Sequence, residues 1–306
     1  MRLDDYRMSD NVEEGRSGGG FGFGGGGGGG FGGLLFGLVL SRFGIGGVLI
    51  LLLGYCALST LGGGGGLGVS GSGTAVAPHQ ASAAAGAAST CTADAARRLS
   101  CQVLASTEDT WGAILGRSGE HYAPTTLHFY SRADNSGCGA AQSAMGPFYC
   151  PNDGRIYLDT AFYDELQNRF HAAGDFAEAY VVAHEVGHHI QDLMGILGKV
   201  QTQQGSLSTK AGSALQVRVE LQADCYAGVW AANAKDAHGQ PLLEAGDVEE
   251  GLRAAAAIGD DTLQQQEQGY VVPDSFTHGS SAQRVQWLRK GLESGDPAAC
   301  NTFAGA

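Results

Sequence analysis

Hydrophobic residues beyond residue 90 follow two different spacings. Between residues 93 and 116, and again after residue 176, apolar positions recur every three to four residues, which predicts amphipathic helices. Between these segments, aromatic and β-branched residues come in short runs broken by the turn signals DNSG and PNDG, which predict two or three short strands. We expect a helix pair in 93–116 and helices over 177–197, 207–234, 248–258 and 280–294. This order of elements is typical of an α+β fold.

The first 90 residues have no such pattern. Residues 1–42 form an arm whose charged start leads into a glycine tract, and a Gly/Ser/Ala-rich tether occupies 62–90. Between them, the charge-free run 43–61 has 19 residues, enough for a helix that crosses a hydrocarbon core of about 30 Å. We expect a single transmembrane helix at 43–61, no other folded structure before about residue 89, and a folded domain over 91–306.

Two other interpretations of the run 43–61 are a buried core helix and the hydrophobic part of a cleaved signal peptide. Signal peptides carry a hydrophobic region of about 7–15 residues close to the start of the chain, whereas 42 residues precede this run. Arg42 at its N-terminal edge favours a cytoplasmic arm. We therefore expect a retained membrane anchor with the domain 91–306 on the extracytoplasmic side.

Composition supports a globular domain and argues against nucleic-acid binding. The chain is 43% hydrophobic, enough to bury a core, although 51 of its 306 residues are glycine. Its net charge is −13, and residues 62–306 carry 14 basic and 26 acidic side chains without a basic cluster. Such a surface repels phosphate backbones.

Six cysteines follow the predicted anchor, which itself holds Cys56. An even number without the paired spacings of zinc ribbons, in a domain outside the cytoplasm, favours disulfides, and six cysteines allow 15 connectivities. Free buried cysteines in a cytosolic domain are the alternative. Pairing neighbours in sequence is the simplest scheme, and it joins Cys91 to Cys101, Cys138 to Cys150 and Cys225 to Cys300.

The segment His184-Glu185-Val186-Gly187-His188 is an HExxH motif within a helical pattern. On a helix, His184 and His188 project from one face at the separation that two imidazoles need to bind one Zn²⁺. Glu185 lies beside them, placed to accept a proton from a metal-bound water. His189 is rotated about 100° around the helix, so we expect it to be structural.

A catalytic zinc site needs a third protein ligand and one open position. The next helical segment offers Glu220 and Asp224, two carboxylates four residues apart among apolar neighbours. We expect Glu220 to be the third ligand and Asp224 to accept a hydrogen bond from a ligating imidazole. A solvated acidic face is the alternative for this pair.

These motifs resemble those of bacterial membrane-anchored proteins of the putative neutral zinc metallopeptidase family, within the gluzincin-like HExxH plus Glu type. The shared segments are the charged start with SDNVE and its glycine tract, GPFYCPNDGRIYLD at 146–159, AHEVGHHIQ at 183–191, ELQADCYAGVWA at 220–231 and SFTHGSSAQRVQWLRKG at 275–291. The resemblance implies a mainly helical zincin-like domain, Zn²⁺ on His184, His188 and Glu220, Glu185 as catalytic base, and attachment to the bacterial cell membrane.

The sequence therefore predicts a membrane-anchored zinc endopeptidase that acts on peptides or proteins through a metal-activated water. A catalytically silent, zinc-stabilised binding or assembly module is the second interpretation, and a hydrolase of other amides is the third. Glu185 favours the enzyme, because a structural zinc site needs no carboxylate beside its first histidine.

Further expectations concern residues outside the proposed ligand set. His278 and Tyr226 are candidates to stabilise the oxyanion, although each is also a plausible structural residue. The segment SAMGPFYC, 143–150, either presents a sheet edge to an extended substrate or is an ordinary strand. We expect Arg218 and Arg284 to pair with buried acids.

Overall fold

The structure, a computed structural model, describes residues 1–15 and 80–304. Nearly all of these residues belong to one compact unit, Met1–Ser17 with Ser82–Ala306. The predicted glycine tract, the predicted membrane helix 43–61 with its Cys56, and the tether as far as residue 79 lie outside the described residues. In the part of the chain that is described, no helix combines the length and the apolar character needed to cross a membrane.

Nine α-helices form within the described ranges. They are α1 (Gln80–Cys91), α2 (Ala95–Arg117), α3 (Ala161–Asn168), α4 (Asp175–Leu193), α5 (Ile196–Gln204), α6 (Thr209–Asn233), α7 (Asp247–Ala257), α8 (Asp260–Gln268) and α9 (Ser281–Ser294). Side-chain oxygens of Asp94, Ser208 and Ser280 cap the N-termini of α2, α6 and α9 by accepting hydrogen bonds from backbone N–H groups of the first turn. The three longest helices, α2, α4 and α6, pack together around the centre of the domain.

The helices predicted after residue 176 are confirmed, with boundaries shifted by a few residues. The predicted helix pair in 93–116 is wrong, because that segment is the single 23-residue helix α2. Its partner, α1, precedes it and lies within the predicted tether. Helices α3, α5 and α8 were not predicted as separate helices. The aromatic residues of α3 continue a run typical of strands. The α+β class is confirmed.

A four-stranded sheet packs against these helices in the order β1-β2-β6-β5. Its strands are β1 (Val12–Glu14), β2 (Thr126–Phe129), β6 (Arg155–Leu158) and β5 (Phe148–Cys150). The first three are parallel, while β5 runs antiparallel to β6 and forms an edge. Strands β3 (Ala133–Ser136) and β4 (Gly139–Gln142) form a separate antiparallel hairpin.

Each face of the sheet buries its own cluster, as the alternation of side chains along a strand requires. In β6, Ile156 and Leu158 point into the main helical core. Tyr157, between them, packs with Tyr130, Cys150 and the hairpin residue Ala141 on the opposite face. The hairpin therefore covers the β5–β6 side of the sheet.

Three disulfides join the pairs that the neighbour-in-sequence scheme predicted. They are Cys91–Cys101, Cys138–Cys150 and Cys225–Cys300, with Cα–Cα distances of 5.9, 5.8 and 5.6 Å. The alternative of free buried cysteines is wrong for these six residues. The second bridge ties the hairpin to β5, and the third ties the C-terminal segment to α6.

Residues 1–15 are part of this domain, so the expectation that nothing folds before residue 89 is wrong. Val12 pairs in register with Leu127 and makes β1 a strand of the main sheet. Leu3 is 4% exposed, and its carbonyl oxygen accepts a hydrogen bond of 2.6 Å from the side chain of Gln102. The Arg7 guanidinium donates to the carboxylates of Glu108 and Asp109 on α2. A run too short to show periodicity therefore folds by pairing with a distant strand.

These contacts change the predicted membrane arrangement. A segment that crosses a bilayer once leaves its two flanks in different compartments. The arm 1–15 and the domain 86–304 pack together, so they occupy the same compartment. A cytoplasmic arm and an extracytoplasmic domain cannot both be right.

The common compartment can be tested by labelling with a membrane-impermeant maleimide. Single cysteines replace two exposed residues, Asp10 in the arm and Arg289 on α9, in a Cys56→Ala background. We expect spheroplasts to show the same reactivity for Asp10→Cys and Arg289→Cys, with detergent-permeabilised cells giving the full signal. Labelling of one variant and protection of the other would contradict the packing of the arm on the domain.

Candidate metal centre

Helix α4 holds the HExxH motif inside the core. The residues that precede the motif, Tyr180 to Ala183, are at most 5% exposed and anchor the helix between α2 and α6. His184 and Glu185 are each 7% exposed. Because His184 and His188 are one helical turn apart, their rings lie 4.8 Å from each other, centroid to centroid.

Gly187 allows α6 to approach α4 at the motif. A Cβ atom at position 187 would lie 2.9 Å from the carbonyl oxygen of Ala223 and 3.0 Å from its Cα atom. Only hydrogen fits there without displacement of α6. This close contact brings Glu220, almost one turn before Ala223, opposite the two histidines.

Three ligand atoms converge at this contact. The Oε2 atom of Glu220 lies 3.3 Å from Nε2 of His184 and 3.4 Å from Nε2 of His188. The three residues form a group whose ligand atoms all lie within 4.8 Å of one another. The three residues that the sequence proposed as ligands are thus brought together in space.

Hydrogen bonds on the far side of each imidazole fix its orientation. Nδ1 of His184 lies 2.8 Å from Oδ1 of Asp224, and Nδ1 of His188 lies 2.8 Å from Oε1 of Gln191. Both partner atoms are acceptors, so each Nδ1 carries a proton and each Nε2 atom is directed at Glu220. Gln216 donates to Oε1 of Glu220 over 2.9 Å and leaves Oε2 for the centre of the site.

Asp224 is held in turn by Arg284 of α9. The guanidinium donates from Nε to Oδ2 over 3.0 Å and from Nη2 to Oδ1 over 2.9 Å. Tyr180 donates a further hydrogen bond to Asp224. Burial alone would raise the pKa of Asp224, but the charges of Arg284 and His184 outweigh it and lower the pKa to about 2. The expectation that Arg284 pairs with a buried acid is confirmed.

The metal-free cluster behaves as a buried ion pair. Burial lowers the pKa of His188, but the charge of Glu220 and its hydrogen bond outweigh burial and raise that pKa to about 9. The same attraction lowers the pKa of Glu220 well below its usual value, against the effect of burial. A cation that binds here would therefore displace a proton.

Comparison with known proteins shows the family of the chain. The family described as putative neutral zinc metallopeptidase matches residues 1–303. The chain belongs to this family. An uncharacterized protein of Escherichia coli K12, YpfJ, is 53% identical over 210 residues, which cover 69% of this chain and 72% of the relative. The uncharacterized protein Rv2575 of Mycobacterium tuberculosis is 46% identical over 225 residues, which cover 70% of this chain and 74% of the relative. No solved structure matches the chain.

In this member of the zinc metallopeptidase family, His278 lies beside the convergent group. Its Nδ1 atom is 3.1 Å from Oδ1 of Asp260, and its side chain is 41% exposed. Removal from water disfavours the imidazolium, but the Asp260 hydrogen bond and the charge of Glu220 outweigh this effect and raise the pKa of His278. Asp260 also accepts hydrogen bonds from the backbone N–H groups of residues 277–279, which fixes the segment that carries His278.

Tyr226, the other oxyanion candidate, lies in the core. It is 2% exposed, its ring packs edge-on against Trp111, and its hydroxyl faces the sulfur of Met194 at 3.6 Å. Burial raises the pKa of Tyr226 to about 12. No described contact joins it to the histidines or Glu220, because it lies on another face of α6. These contacts argue against the role that the sequence suggested.

His189 has the structural surroundings that its position on the helix predicts. Its Nε2 atom lies 2.6 Å from the carbonyl oxygen of Ala123, and Nδ1 lies 3.1 Å from the hydroxyl of Tyr149 on β5. Tyr149 also donates to Asp192 near the end of α4. These bonds fasten the edge strand β5 to the helix of the metal centre.

Sequence reasoning missed Tyr180, Gln191 and Gln216. Gln191 and Gln216 lie three and four residues from a ligand candidate, on the same helical face, and that spacing was the signal available. Tyr180 lies one turn before His184 and carried the same signal. Their polar groups are recognisable as partners only once Glu220 and Asp224 are known to lie opposite α4.

The role of Gly187 can be tested by adding one methyl group. We expect Gly187→Ala to weaken zinc binding by on the order of tenfold to a hundredfold, comparable to the loss of an outer partner of a ligand, because α6 must move away. Competition with a chromophoric chelator measures the affinity. Gly198→Ala on α5, where a Cβ meets nothing within 4 Å, is the matched control. Equal affinities in the two variants would mean that the close contact does not position Glu220.

Proposed function

We propose that this protein is a zinc-dependent endopeptidase that hydrolyses peptide bonds with Glu185 as general base. One observation carries the proposal: two imidazole Nε2 atoms and a carboxylate oxygen converge in a buried site, with a second glutamate beside the first histidine. Membership of the metallopeptidase family supports the reaction class.

The residues present fit a catalytic zinc ion. Two imidazoles and one carboxylate are a donor set of catalytic zinc sites, which keep a fourth position open. Both imidazoles already have their Nδ1 protons donated outward, to Asp224 and Gln191. When bound, Zn²⁺ supplies Lewis acidity, which lowers the pKa of water and polarises a carbonyl group.

Glu185 supplies the base. Its neighbours on α4 are buried, and its carboxylate makes no hydrogen bond to another side chain in residues 1–15 and 86–304. The carboxylate is thus free to accept the proton of the attacking water and return it to the leaving amine. The other glutamate of the site, Glu220, is not available as a base, because both of its carboxylate oxygens have partners.

In this proposal, His278 stabilises the negative charge that develops on the carbonyl oxygen of the substrate. Asp260 favours its protonated form, so the ring can donate a hydrogen bond to the carbonyl oxygen of the substrate as charge builds there. The partial exposure of the His278 side chain supports contact with a substrate.

The edge strand β5 supports an extended substrate. Among the described residues, β5 pairs on one side only, with β6, and we propose that its other edge accepts a peptide strand. The bonds of Tyr149 to His189 and Asp192 hold β5 against α4, the helix that carries the two candidate zinc-binding histidines.

For localisation, we propose an extracytoplasmic domain in a bacterial envelope. Three disulfides within one domain support an oxidising compartment. Because residues 1–15 are part of the same unit, the proposal places them on that side too.

A catalytically silent, zinc-stabilised module remains the second candidate function. One observation favours this second function: the hydrogen bonds between Asp224 and Arg284 would also stabilise a structural zinc site. Glu185 distinguishes the two functions, because a silent site has no use for an unpaired carboxylate beside the metal.

The decisive experiment compares the full chain with its Glu185→Gln variant in detergent. We expect both proteins to bind one zinc ion and only the unaltered protein to cleave casein, with a loss of roughly 10²–10⁴-fold or more in the variant. Glu249→Gln, at an exposed position of α7, is the control and should retain full activity. Zinc binding without cleavage in every variant would favour the silent module, and absence of zinc binding in folded protein would refute the proposal.

The partnership of His278 and Asp260 predicts a change in pH dependence. Asp260 raises the pKa of His278, so Asp260→Asn should lower that pKa, and the alkaline limb of kcat/KM should move to lower pH. Asparagine keeps an oxygen that can accept the backbone hydrogen bonds of residues 277–279. Asp261→Asn on the same helix, which removes a carboxylate bonded to Ser281, should leave the limb unchanged. Identical pH profiles for the two variants would exclude a role for protonated His278.

A further inference from the structure

A cavity beside the metal centre contains an unsatisfied arginine. The cavity has a volume of about 600 Å³ and lies between α6, α9 and the segment 273–280. The apolar part of its wall includes Val217, Leu221, Phe276 and Trp287, and the polar part includes the guanidinium-bearing residue Arg218. No step of the proposed reaction uses this cavity.

Arg218 lacks the partner that the sequence predicted for it. Its Nη1 atom is buried and makes no hydrogen bond, and no ion pair joins Arg218 to a carboxylate among the described residues. The expectation that Arg218 pairs with a buried acid is therefore wrong. Only its backbone is engaged, through a hydrogen bond of 2.7 Å from the hydroxyl of Thr302 to its carbonyl oxygen.

The other charged groups of the wall neutralise each other. Lys210 and Asp274 form an ion pair of 2.8 Å at the exposed rim, with side chains 71% and 69% exposed. Within residues 1–15 and 86–304, Arg218 is thus the charged residue of the wall that pairs with no carboxylate. A buried donor without a partner costs free energy, and a guanidinium matches a carboxylate with two parallel hydrogen bonds.

The cavity and the metal centre share two elements. Leu221, in the wall, directly follows Glu220 on α6. Gly279 packs so closely on α6 that a Cβ there would lie 3.2 Å from Leu221 and 3.3 Å from Val217. The segment that carries His278 also forms part of the cavity wall, through Phe276 and Ser280. The cavity and the metal centre are therefore built on the same two elements.

We propose that this cavity is a substrate subsite in which Arg218 binds a peptide carboxylate, with the apolar wall around a neighbouring side chain. The carboxylate belongs either to an acidic side chain or to the C-terminus of the substrate, and both offer the same chemistry to the guanidinium. This subsite rests on the proposed peptidase function for its ligand.

Binding is measured without cleavage, using the zinc-loaded full chain that carries Glu185→Gln. Three fluorescein-labelled hexapeptides of one apolar sequence serve as probes: one ends in a free carboxylate, one in an amide, and one in an amide with a single internal glutamate. We expect a carboxylate probe to bind about tenfold or more tightly than the plain amide, as a charge-assisted bond to arginine would give. The probe that gains this affinity identifies the source of the carboxylate.

Three further variants assign the preference to Arg218. Arg218→Gln should abolish it, Arg218→Lys should retain part of it, and Arg289→Gln, at an exposed position of α9, should retain all of it. Circular dichroism melting checks that each variant is folded. The proposal is overturned if the plain amide binds as tightly as both carboxylate probes to protein with Arg218 intact, a comparison that needs no substitution at Arg218. It is also overturned if folded Arg218→Gln keeps the preference.

Casein cleavage by protein with Glu185 intact, measured in parallel, separates this subsite from the proposed function. Absence of cleavage together with a carboxylate preference would refute the peptidase and leave the anion subsite standing. Cleavage without any carboxylate preference would refute the subsite alone.

Discussion

The close contact between α4 and α6 at Gly187 is the constraint on which the metal centre depends. Glutamate has a short side chain, so Glu220 reaches both histidines only if the two helix backbones nearly touch, as they do where Gly187 faces Ala223. A second glycine allows a close helix contact on another side of α6: a Cβ at Gly291 of α9 would overlap the carbonyl oxygen of Cys225. Helix α6 is therefore fixed against two neighbours by glycines, and both contacts lie within a turn or two of Glu220 and Asp224.

The second requirement is charge compensation in a dry interior. Asp224 is fully buried and stays ionised because Arg284, Tyr180 and His184 all bond to it. Removal of one partner would leave a buried charge without compensation, which costs far more than an exposed ion pair contributes. The network thus connects α9 to the orientation of a ligand candidate on α4. Arg218, two residues before Glu220, has no carboxylate partner among the described residues, in contrast to Arg284.

The arm 1–15 contributes strand β1 to the sheet of the domain, although a long segment of the chain separates it from the rest of the domain. Residues 16–79 connect β1 to α1, two elements of a single compact unit. The described segments that precede and follow the apolar run 43–61 therefore pack together. An amphipathic pattern could not reveal this, because β1 has three residues and only its pairing with β2 stabilises it.

The sequence alone determined most of the helices after residue 176, the α+β class, the three disulfide pairs and the candidate ligands His184, His188 and Glu220. Helical periodicity and the spacing of HExxH are local properties, so they can be read along one segment. Tertiary structure decided what depends on distant segments meeting: the pairing of β1 with β2, the partners of Asp224, the burial of Tyr226 in the core and the unpaired guanidinium of Arg218. Each of these follows from which faces of two helices or strands come together, and no single segment contains that information.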